Sequence, residues 1–364
     1  MTQNGMGART GEVWILGATG RIGRAVTARI GAHGLDLVLV GRDPESLRAT
    51  AASAGHPDAK ILVADAVERM ASEITRRRPA VVVNALGSYT ETAVPLARAC
   101  MPGGHYVDLA ADLTAIPRLL ALHQEAADAC STLITGAGFG ILATEAVVVK
   151  LCEGRSIPHE VRVDALASVA TDAGTMGTAF AATTVDVITS GGRRYKNGHM
   201  VKTRLGSDVQ THMLPDGQTV KSASAPSGEL LAAQRASAAP NVSVTSALAP
   251  TSCIVRAVLP LFATLLSVPG LRRLAVRQMA KAPIKAAPRP RTHSWGHVVV
   301  TWGDGSRREG WLRADDGMDY TADVITRTAV RLVQGEAPSG AYTPAAAFGP
   351  DLATAAGGNF LLDT

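Results

Sequence analysis

The stretch Val13–Gly23, VWILGATGRIG, decides the fold of this chain. Its first four residues are a continuous apolar run, which is typical of a strand buried on both faces. In the turn that follows, the first glycine permits a tight bend, the second lets the backbone approach a pyrophosphate, and the third lets a helix pack closely on the strand. The helix N-terminus then offers free N–H groups and a positive dipole to an anion. The stretch therefore predicts a dinucleotide site formed by Gly17, Thr19, Gly20, Arg21, Ile22 and Gly23.

The same alternation of strand and helix continues to about residue 137. Five further short apolar runs, at 37–40, 61–63, 81–83, 106–109 and 132–134, alternate with helix-length stretches, of which the last covers 114–129. Short connections between alternating strands and helices favour a doubly wound parallel sheet. We therefore expect an α/β protein with a Rossmann fold.

The end of the second predicted strand bears on which dinucleotide binds. An NAD site usually has a carboxylate there for the ribose 2′-OH, whereas Arg42 suits a 2′-phosphate, which favours NADP(H). Arg42 as the cap of a surface turn is the alternative, and Asp43 beside it complicates the assignment. Asp65, after the third strand, is either a partner of the adenine amino group or a plain turn residue.

The carboxyl ends of the later strands supply the remaining site residues. In open α/β sheets, ligands bind at these ends, near the switch in strand order. Leu86, Gly87 and Ser88 follow the fourth strand and are expected to lie along the ribose or nicotinamide. Gly136, Gly138 and Gly140 follow the sixth strand and indicate a loop that keeps side chains away, or ordinary turn chemistry.

The candidate catalytic residues are Tyr89, Asp108 and Asp172, with His105 as a further candidate. A reductase needs a proton donor beside the hydride acceptor, and Tyr89 fits best because its loop faces the nicotinamide end, although a packing role is the alternative. Asp108 either binds a substrate amine or caps the next helix, and Asp172 lies in a substrate-facing loop or at a helix N-terminus. No histidine pair has ligand spacing on one helix, so we expect no metal.

After residue 142 the composition changes. Asn197-Gly198, Pro215-Asp216-Gly217 and Gly303-Asp304-Gly305 are turn signals inside the stretches 193–205, 209–220 and 294–311, which predict three hairpins. We expect a dinucleotide-binding domain at 10–142, an inserted α+β substrate and catalytic domain at 143–316, and a C-terminal helix and tail at 317–364 that return to the first domain.

Charge is unevenly distributed along the chain. The net charge of +5 on 364 residues does not suggest a nucleic-acid partner, yet residues 230–303 contain nine Lys and Arg and no Asp or Glu. This segment includes the apolar stretch Ile254–Leu271, which Arg256, Pro260 and Pro269 make unsuitable as a membrane span. It would suit an acyl-carrier protein, coenzyme A or an anionic membrane surface, or else a dimer interface or core helices.

Several of these motifs together resemble the saccharopine-dehydrogenase-like family. The matching stretches are 17–23, 41–42, 84–89, 94–100, 105–109 and, near the C-terminus, 342–349. The resemblance implies that the glycine turn, Arg42 and the loop at 86–89 hold NADP(H). It also implies substrates that range from amino-acid imines to lipid enoyl thioesters. The spacing G-x-x-G-x-x-G resembles the trans-acting enoyl reductases of this group and departs from the saccharopine-forming branch.

The sequence thus predicts an NADPH-dependent reductase that delivers hydride to a C=N or C=C bond. The alternative is a non-catalytic NADP-binding regulatory or interaction protein. A small-molecule or acyl-thioester substrate, an acyl-carrier protein and a second copy of the chain are the expected partners, with peripheral membrane contact left open. Residues 1–10 are polar and lack the apolar region of a signal peptide, so we expect a cytoplasmic protein.

Overall fold

The structure is a computed structural model that describes residues 10–363, apart from the side chains of residues 10 and 178–180. The segment interpreted as lacking a signal peptide therefore lies outside the described residues, except for residue 10. Two compact units divide the chain. The first comprises Met1–Leu109, Pro117–Thr135 and Ile325–Tyr342, and the second comprises Ala110–Ile116, Gly136–Val324 and Thr343–Thr364. The predicted domain boundaries at 142 and 316 stay a prediction.

The described residues form eighteen strands. They are β1 Thr10–Leu16, β2 Leu37–Gly41, β3 Lys60–Val63, β4 Pro79–Asn84, β5 His105–Asp108, β6 Thr132–Ile134, β7 Glu160–Leu166, β8 Gly174–Thr175, β9 Gly192–Lys196, β10 His199–Thr203, β11 Gln210–Met213, β12 Thr219–Ser224, β13 Asn241–Ser246, β14 Pro283–Ile284, β15 Ser294–Thr301, β16 Arg307–Ala314, β17 Gly340–Tyr342 and β18 Asn359–Leu362.

Fourteen helices connect these strands within residues 10–363. They are α1 Arg21–Gly31, α2 Pro44–Ser53, α3 Val67–Arg77, α4 Tyr89–Cys100, α5 Ala115–Leu120, α6 His123–Asp128, α7 Phe139–Cys152, α8 Thr178–Ser190, α9 Glu229–Ser237, α10 Cys253–Leu266, α11 Pro269–Ala280, α12 Gly317–Val333, α13 Pro344–Phe348 and α14 Asp351–Ala355.

The first unit is built on a parallel sheet of seven strands in the order β17-β6-β5-β4-β1-β2-β3. The strand order reverses between β1 and β4, which is the switch point of a doubly wound sheet. The side chains of Val38, Leu39 and Val40 are fully buried, as are those of β4 from Val81 to Val83, because both faces of the sheet are covered. The predicted Rossmann fold is confirmed.

The sheet differs from the prediction at one edge. The segment 114–129 was expected to form one helix, but α5 and α6 are separate and break at residues 121–122. The His123 ring packs edge-on against Tyr342, and the Ala341 N–H of β17 donates to its Nδ1 at 3.3 Å. These contacts join residues more than 200 positions apart, so local sequence could not reveal the break or the added strand.

The second unit contains a mixed sheet of nine strands, whose main path is β10-β9-β13-β7-β15-β16-β18, with β12 and β11 continuing from β13. All three predicted hairpins are present, as β9–β10, β11–β12 and β15–β16. At the first turn Asn197 and Gly198 have φ of +50° and +78°, the left-handed pair that a two-residue hairpin requires. Helix α7 is apolar on almost every side and packs on β15 and β16.

Candidate nucleotide-binding site

The turn between β1 and α1 requires glycine at both ends. Gly17 has φ of +75°, and a Cβ there would lie 2.8 Å from the carbonyl oxygen of Ala85 on the loop after β4. A Cβ on Gly23 would lie 2.3 Å from the Gly17 oxygen. These clashes are with backbone atoms, which cannot move aside as a side chain can. The two glycines therefore let the chain bend tightly and let α1 pack directly on the turn.

Gly20 serves a different purpose. It precedes α1 with an extended backbone, and its added Cβ would meet only the Gly17 oxygen, at 3.3 Å. The outward side of this position is open. Among the described residues no side chain caps the first turn of α1, and that turn contains no acidic residue. Arg24 donates to the Thr19 carbonyl at 2.5 Å and fixes the turn. An open, uncapped helix N-terminus with positive partial charge fits a pyrophosphate.

At the end of β2, Arg42 and Asp43 differ in their contacts. Asp43 caps α2: its carboxylate accepts from the Ser46 N–H at 3.0 Å and from the Ser46 hydroxyl. These hydrogen bonds hold the pKa of Asp43 below its usual value, and the bond from the Ser46 hydroxyl has the largest effect. Arg42 is exposed immediately after β2, and its contact with a 2′-phosphate stays a prediction. Asp65 is exposed in the turn after β3, and its role stays a prediction.

The loop after β4 is held by Asn84, the last residue of that strand. The buried Asn84 accepts from the Leu86 N–H at 3.2 Å, and Thr92 donates to the Gly87 carbonyl at 3.2 Å. Gly87 and Ser88 have φ of +77° and +47°, so the backbone turns sharply before α4 begins. This geometry exposes the loop backbone at the carboxyl end of the sheet, where the sequence predicted cofactor contact.

A buried hydrogen-bond chain links the ends of β4, β5 and β6. The Asn84 amide donates to the Tyr106 hydroxyl at 2.9 Å, which donates to Asp108 at 3.0 Å. Thr135 donates to the other Asp108 oxygen at 2.8 Å. Burial, and then the Asp108 charge, raise the pKa of Tyr106 well above its usual value, so this phenol stays protonated. Asp108 is fully buried in this chain. Sequence reasoning placed Tyr106 in an apolar strand and did not give it a role, because its partner Asn84 lies on another strand.

The remaining candidates lie in contrasting surroundings. Tyr89 is half-buried as the first residue of α4, and its phenol contributes to the raised pKa of Tyr106. His105 accepts the Thr132 N–H at 3.1 Å and so ties β5 to β6. Asp172 is exposed in a loop of the second unit, before β8. Tyr89 and Asp108 therefore both lie near the carboxyl ends of the neighbouring strands β4 and β5. Their catalytic roles stay predictions.

Glu229, at the start of α9, is a buried carboxyl that the sequence analysis did not single out. A Cβ on Gly140 would lie 1.9 Å from its Oε1, so Gly140 leaves room for this carboxyl in the first turn of α7. Its Oε2 is buried without a hydrogen-bond partner among the described residues, and burial raises its pKa. Of the three glycines after β6, Gly140 is therefore explained by side-chain packing within the second unit.

A second buried polar cluster lies on one face of the mixed sheet. The carboxylate of Asp164 accepts from Arg162 at 3.0 Å and from Thr245 at 2.5 Å, and its other oxygen lies 2.8 Å from His297 Nδ1. His297 Nε2 lies 3.0 Å from Glu309, so both of its nitrogens can donate only when the ring carries two protons. Burial raises the pKa of Asp164, but the His297 and Arg162 interactions outweigh it and the pKa lies below the usual value.

Asp164, His212 and His297 place potential metal-ligand atoms within 4.8 Å of one another. They come from β7, β11 and β15, so helical spacing could not have found them. Each already has a hydrogen-bond partner, since His212 Nε2 lies 2.8 Å from the Ser222 hydroxyl. Burial lowers the pKa of His212. The expectation that the chain holds no metal stays a prediction.

Comparisons with known proteins agree with this geometry. Residues 13–134 match the model of the saccharopine dehydrogenase NADP binding domain family. Trans-acting enoyl reductases of Mycobacterium tuberculosis and Mycobacterium ulcerans are 30% and 29% identical over 146 and 140 residues. These alignments cover 38% and 37% of this chain and 35% and 34% of the relatives, so the chain spans about a third of the length of the relatives it matches.

The likeness in fold extends further along the chain. Saccharopine dehydrogenase (L-Glu forming) from Saccharomyces cerevisiae superposes with a TM-score of 0.63 at 11% identity, covering 98% of this chain and all of that one. At that identity the match concerns the fold alone. Residues 13–134 thus match an NADP-binding domain of the saccharopine dehydrogenase type, as the resemblance predicted, and this match supports NADP(H) as the cofactor. An NAD(P)-dependent oxidoreductase, the class predicted for the chain, agrees with the matched NADP-binding domain.

Proposed function

We propose that this protein is an NADPH-dependent reductase that adds hydride to a C=N or C=C bond. The observation that carries the proposal is the turn Gly17–Gly23, which opens an uncapped helix N-terminus beside the switch point of the sheet. Gly17, Gly20 and the first turn of α1 would hold the pyrophosphate, and exposed Arg42 would hold the 2′-phosphate. The backbone at Leu86–Ser88 would orient the nicotinamide end.

When bound, NADPH would supply a hydride to one atom of the double bond. A proton must then reach the other atom, nitrogen or carbon, and we assign its delivery to the Tyr89 hydroxyl. Asp108 is a less suitable donor because it is fully buried and already accepts from Tyr106 and Thr135. Asn84 and Asp108 instead act as positioning residues that fix the backbone at the ends of β4 and β5.

The name of the mycobacterial relatives, trans-acting enoyl reductase, favours an enoyl group as the group reduced. We propose an enoyl thioester as substrate, with an acyl-carrier protein as its carrier. The alternative substrate is an imine formed from an amino acid, which the resemblance to the saccharopine-dehydrogenase-like family implies. NADPH absorbance distinguishes the two substrates. Its loss with a 2-enoyl thioester supports the first, and its loss with an α-keto acid plus an amino acid supports the second. We also propose that the protein forms a homodimer and is located in the cytoplasm.

Turnover by the variant Tyr89→Phe tests the proton donor. We expect kcat to fall by about a hundredfold or more, with NADPH affinity unchanged, because only the hydroxyl is removed. Tyr195→Phe, at a half-buried tyrosine of the β9–β10 hairpin, is the matched control and should keep full activity. Full activity of Tyr89→Phe would remove Tyr89 as the donor.

A non-catalytic NADP-binding regulator is the second candidate. This candidate is favoured because Asp108 and Tyr106 already use their polar atoms in hydrogen bonds with each other, Asn84 and Thr135. Few polar groups at the strand ends are then available to a substrate. Tight NADPH binding without turnover on either class of substrate would support this candidate.

A further inference from the structure

Helices α10 and α11 form the most apolar exposed surface of the described chain. Neither helix has a buried residue, and Ile254 and Leu261 are 74% and 63% exposed. Nine of the fifteen large apolar side chains that are exposed among the described residues lie on these helices and the link between them: Ile254, Val255, Val258, Leu261, Phe262, Leu265, Val268, Leu271 and Leu274. Such a concentration marks an interaction surface rather than ordinary scatter.

The same helices are basic. They carry Arg256, Arg272, Arg273 and Arg277, followed by Lys281, and no acidic residue occurs between positions 230 and 303. Arg272 pairs with Asp186 of α8 at 2.6 Å. Within residues 10–363, neither Arg273 nor Arg277 has a carboxylate partner. We define α10, α11 and their flanking Lys281 as the basic apolar surface.

The combination of arginines and exposed apolar side chains favours one partner for the basic apolar surface. In a symmetric dimer the same patch occurs on both sides, so the arginines of one copy would face those of the other with no acidic residue in the segment to neutralise them. An anionic lipid surface instead supplies phosphate groups for the arginines and an acyl boundary for the leucines.

The geometry indicates a helix pair that lies on a bilayer and does not cross it. Within the described residues no single helix is long and apolar enough to span a membrane. Helices α10 and α11 reach that length and apolarity only in combination, and a bend of 118° lies between them. The 14 residues of α10 extend about 21 Å, short of the ~30 Å hydrocarbon thickness. Arginines on both helices would also be costly at the bilayer centre.

We propose that the basic apolar surface docks the protein onto an anionic lipid bilayer, with Leu261 and Phe262 inserted at the acyl boundary and Arg273 and Arg277 at the headgroups. This proposal goes beyond the reductase activity and does not depend on it. Because the surface lies outside the glycine turn, vesicle binding and NADPH binding are separate measurements, and either can fail alone.

Co-sedimentation of the full chain with vesicles tests the proposal. We expect binding to vesicles of equal phosphatidylcholine and phosphatidylglycerol, and at least about tenfold weaker binding to phosphatidylcholine alone. The double variant Leu261→Glu with Phe262→Glu should lose at least about tenfold in affinity. Ile157→Glu, at a residue 66% exposed outside the surface, is the matched control and should bind as the parent does.

The charge component has its own variant. Arg273→Glu with Arg277→Glu should bind anionic vesicles at least about tenfold more weakly, whereas Arg69→Glu, at an exposed arginine of α3, should not. NADPH titration of each variant shows that it remains folded.

Three results would overturn the proposal. One is equal binding of the parent and of the Leu261→Glu, Phe262→Glu variant to anionic vesicles. Another is a parent that binds no vesicles but forms a dimer by light scattering, which the same variant dissociates, since the surface would then meet a second copy. The third is a parent that binds no vesicles but binds an acyl-carrier protein through Arg273 and Arg277.

Discussion

Each of the two units buries an aspartate on a strand, but the partners differ in charge. Asp108 of β5 accepts from two neutral hydroxyls, of Tyr106 and Thr135. Asp164 of β7 faces the Arg162 guanidinium at 3.0 Å and the His297 ring at 2.8 Å. The hydroxyl contacts of Asp108 tie the carboxyl ends of β5 and β6 together. The charged cluster holds the interior of the second sheet and is correspondingly sensitive to loss of one member.

Replacing the two aspartates tests this difference and has the largest expected effect. Asp164→Asn should lower the free energy of unfolding by about 3–5 kcal/mol, because Arg162, Thr245 and the buried His297 would lose the carboxylate that they contact. Asp108→Asn should cost about 1–3 kcal/mol, since its amide still offers an acceptor to one hydroxyl. Urea unfolding at pH 7 measures both. Equal losses would show that the charge of the partners does not distinguish the two units.

Glu145 is a third buried carboxyl, and its hydrogen-bond partners are a hydroxyl and a backbone N–H. Glu145 of α7 accepts from the Thr343 hydroxyl and from the Ala345 N–H at 3.0 Å, at the start of α13. Burial raises its pKa to about 7, although these hydrogen bonds oppose the shift. Since the unfolded chain loses this proton at a lower pH, Glu145 contributes stability below pH ~4.5 that is lost as the pH rises to about 7.

Glu145→Gln should remove that pH dependence. The parent should lose roughly 2–3 kcal/mol relative to this variant between pH 4.5 and pH 7.5, because the glutamine never ionises. Urea unfolding of both proteins at the two pH values gives the difference. Parallel stability curves for the two proteins over this range would contradict the raised pKa.

Arg42→Ala tests the assignment of NADP(H) at the first unit. We expect NADPH affinity to fall by about tenfold to a hundredfold, the value of charge-assisted bonds to a phosphate, and NADH affinity to change little. Fluorescence titration with both cofactors measures this, with Arg48→Ala on α2 as the control at a nearby exposed arginine. Equal losses for the two cofactors would show that Arg42 does not bind the 2′-phosphate.

The sequence predicted six of the seven strands of the first sheet and the glycine turn, because buried parallel strands and a phosphate-binding turn leave continuous local signals. It also predicted the three hairpins, whose turn residues are distinctive. It missed β17, the break at residues 121–122, and the buried neighbours Tyr106 and Glu229. These depend on residues that are distant in the chain, such as His123 with Ala341 and Glu229 with Gly140. Periodicity carries no information about such pairs.

Calorimetric titration of NADPH against the parent and Gly20→Val tests most directly the claim that the turn at 17–23 binds a pyrophosphate. The account predicts saturable binding by the parent and loss of at least about a hundredfold in the variant, because the added side chain fills the open side of the turn. Gly11→Val, whose added Cβ meets no atom within 4 Å, should bind as the parent does. Unchanged affinity in a folded Gly20→Val protein, or no binding by the parent, would contradict the account.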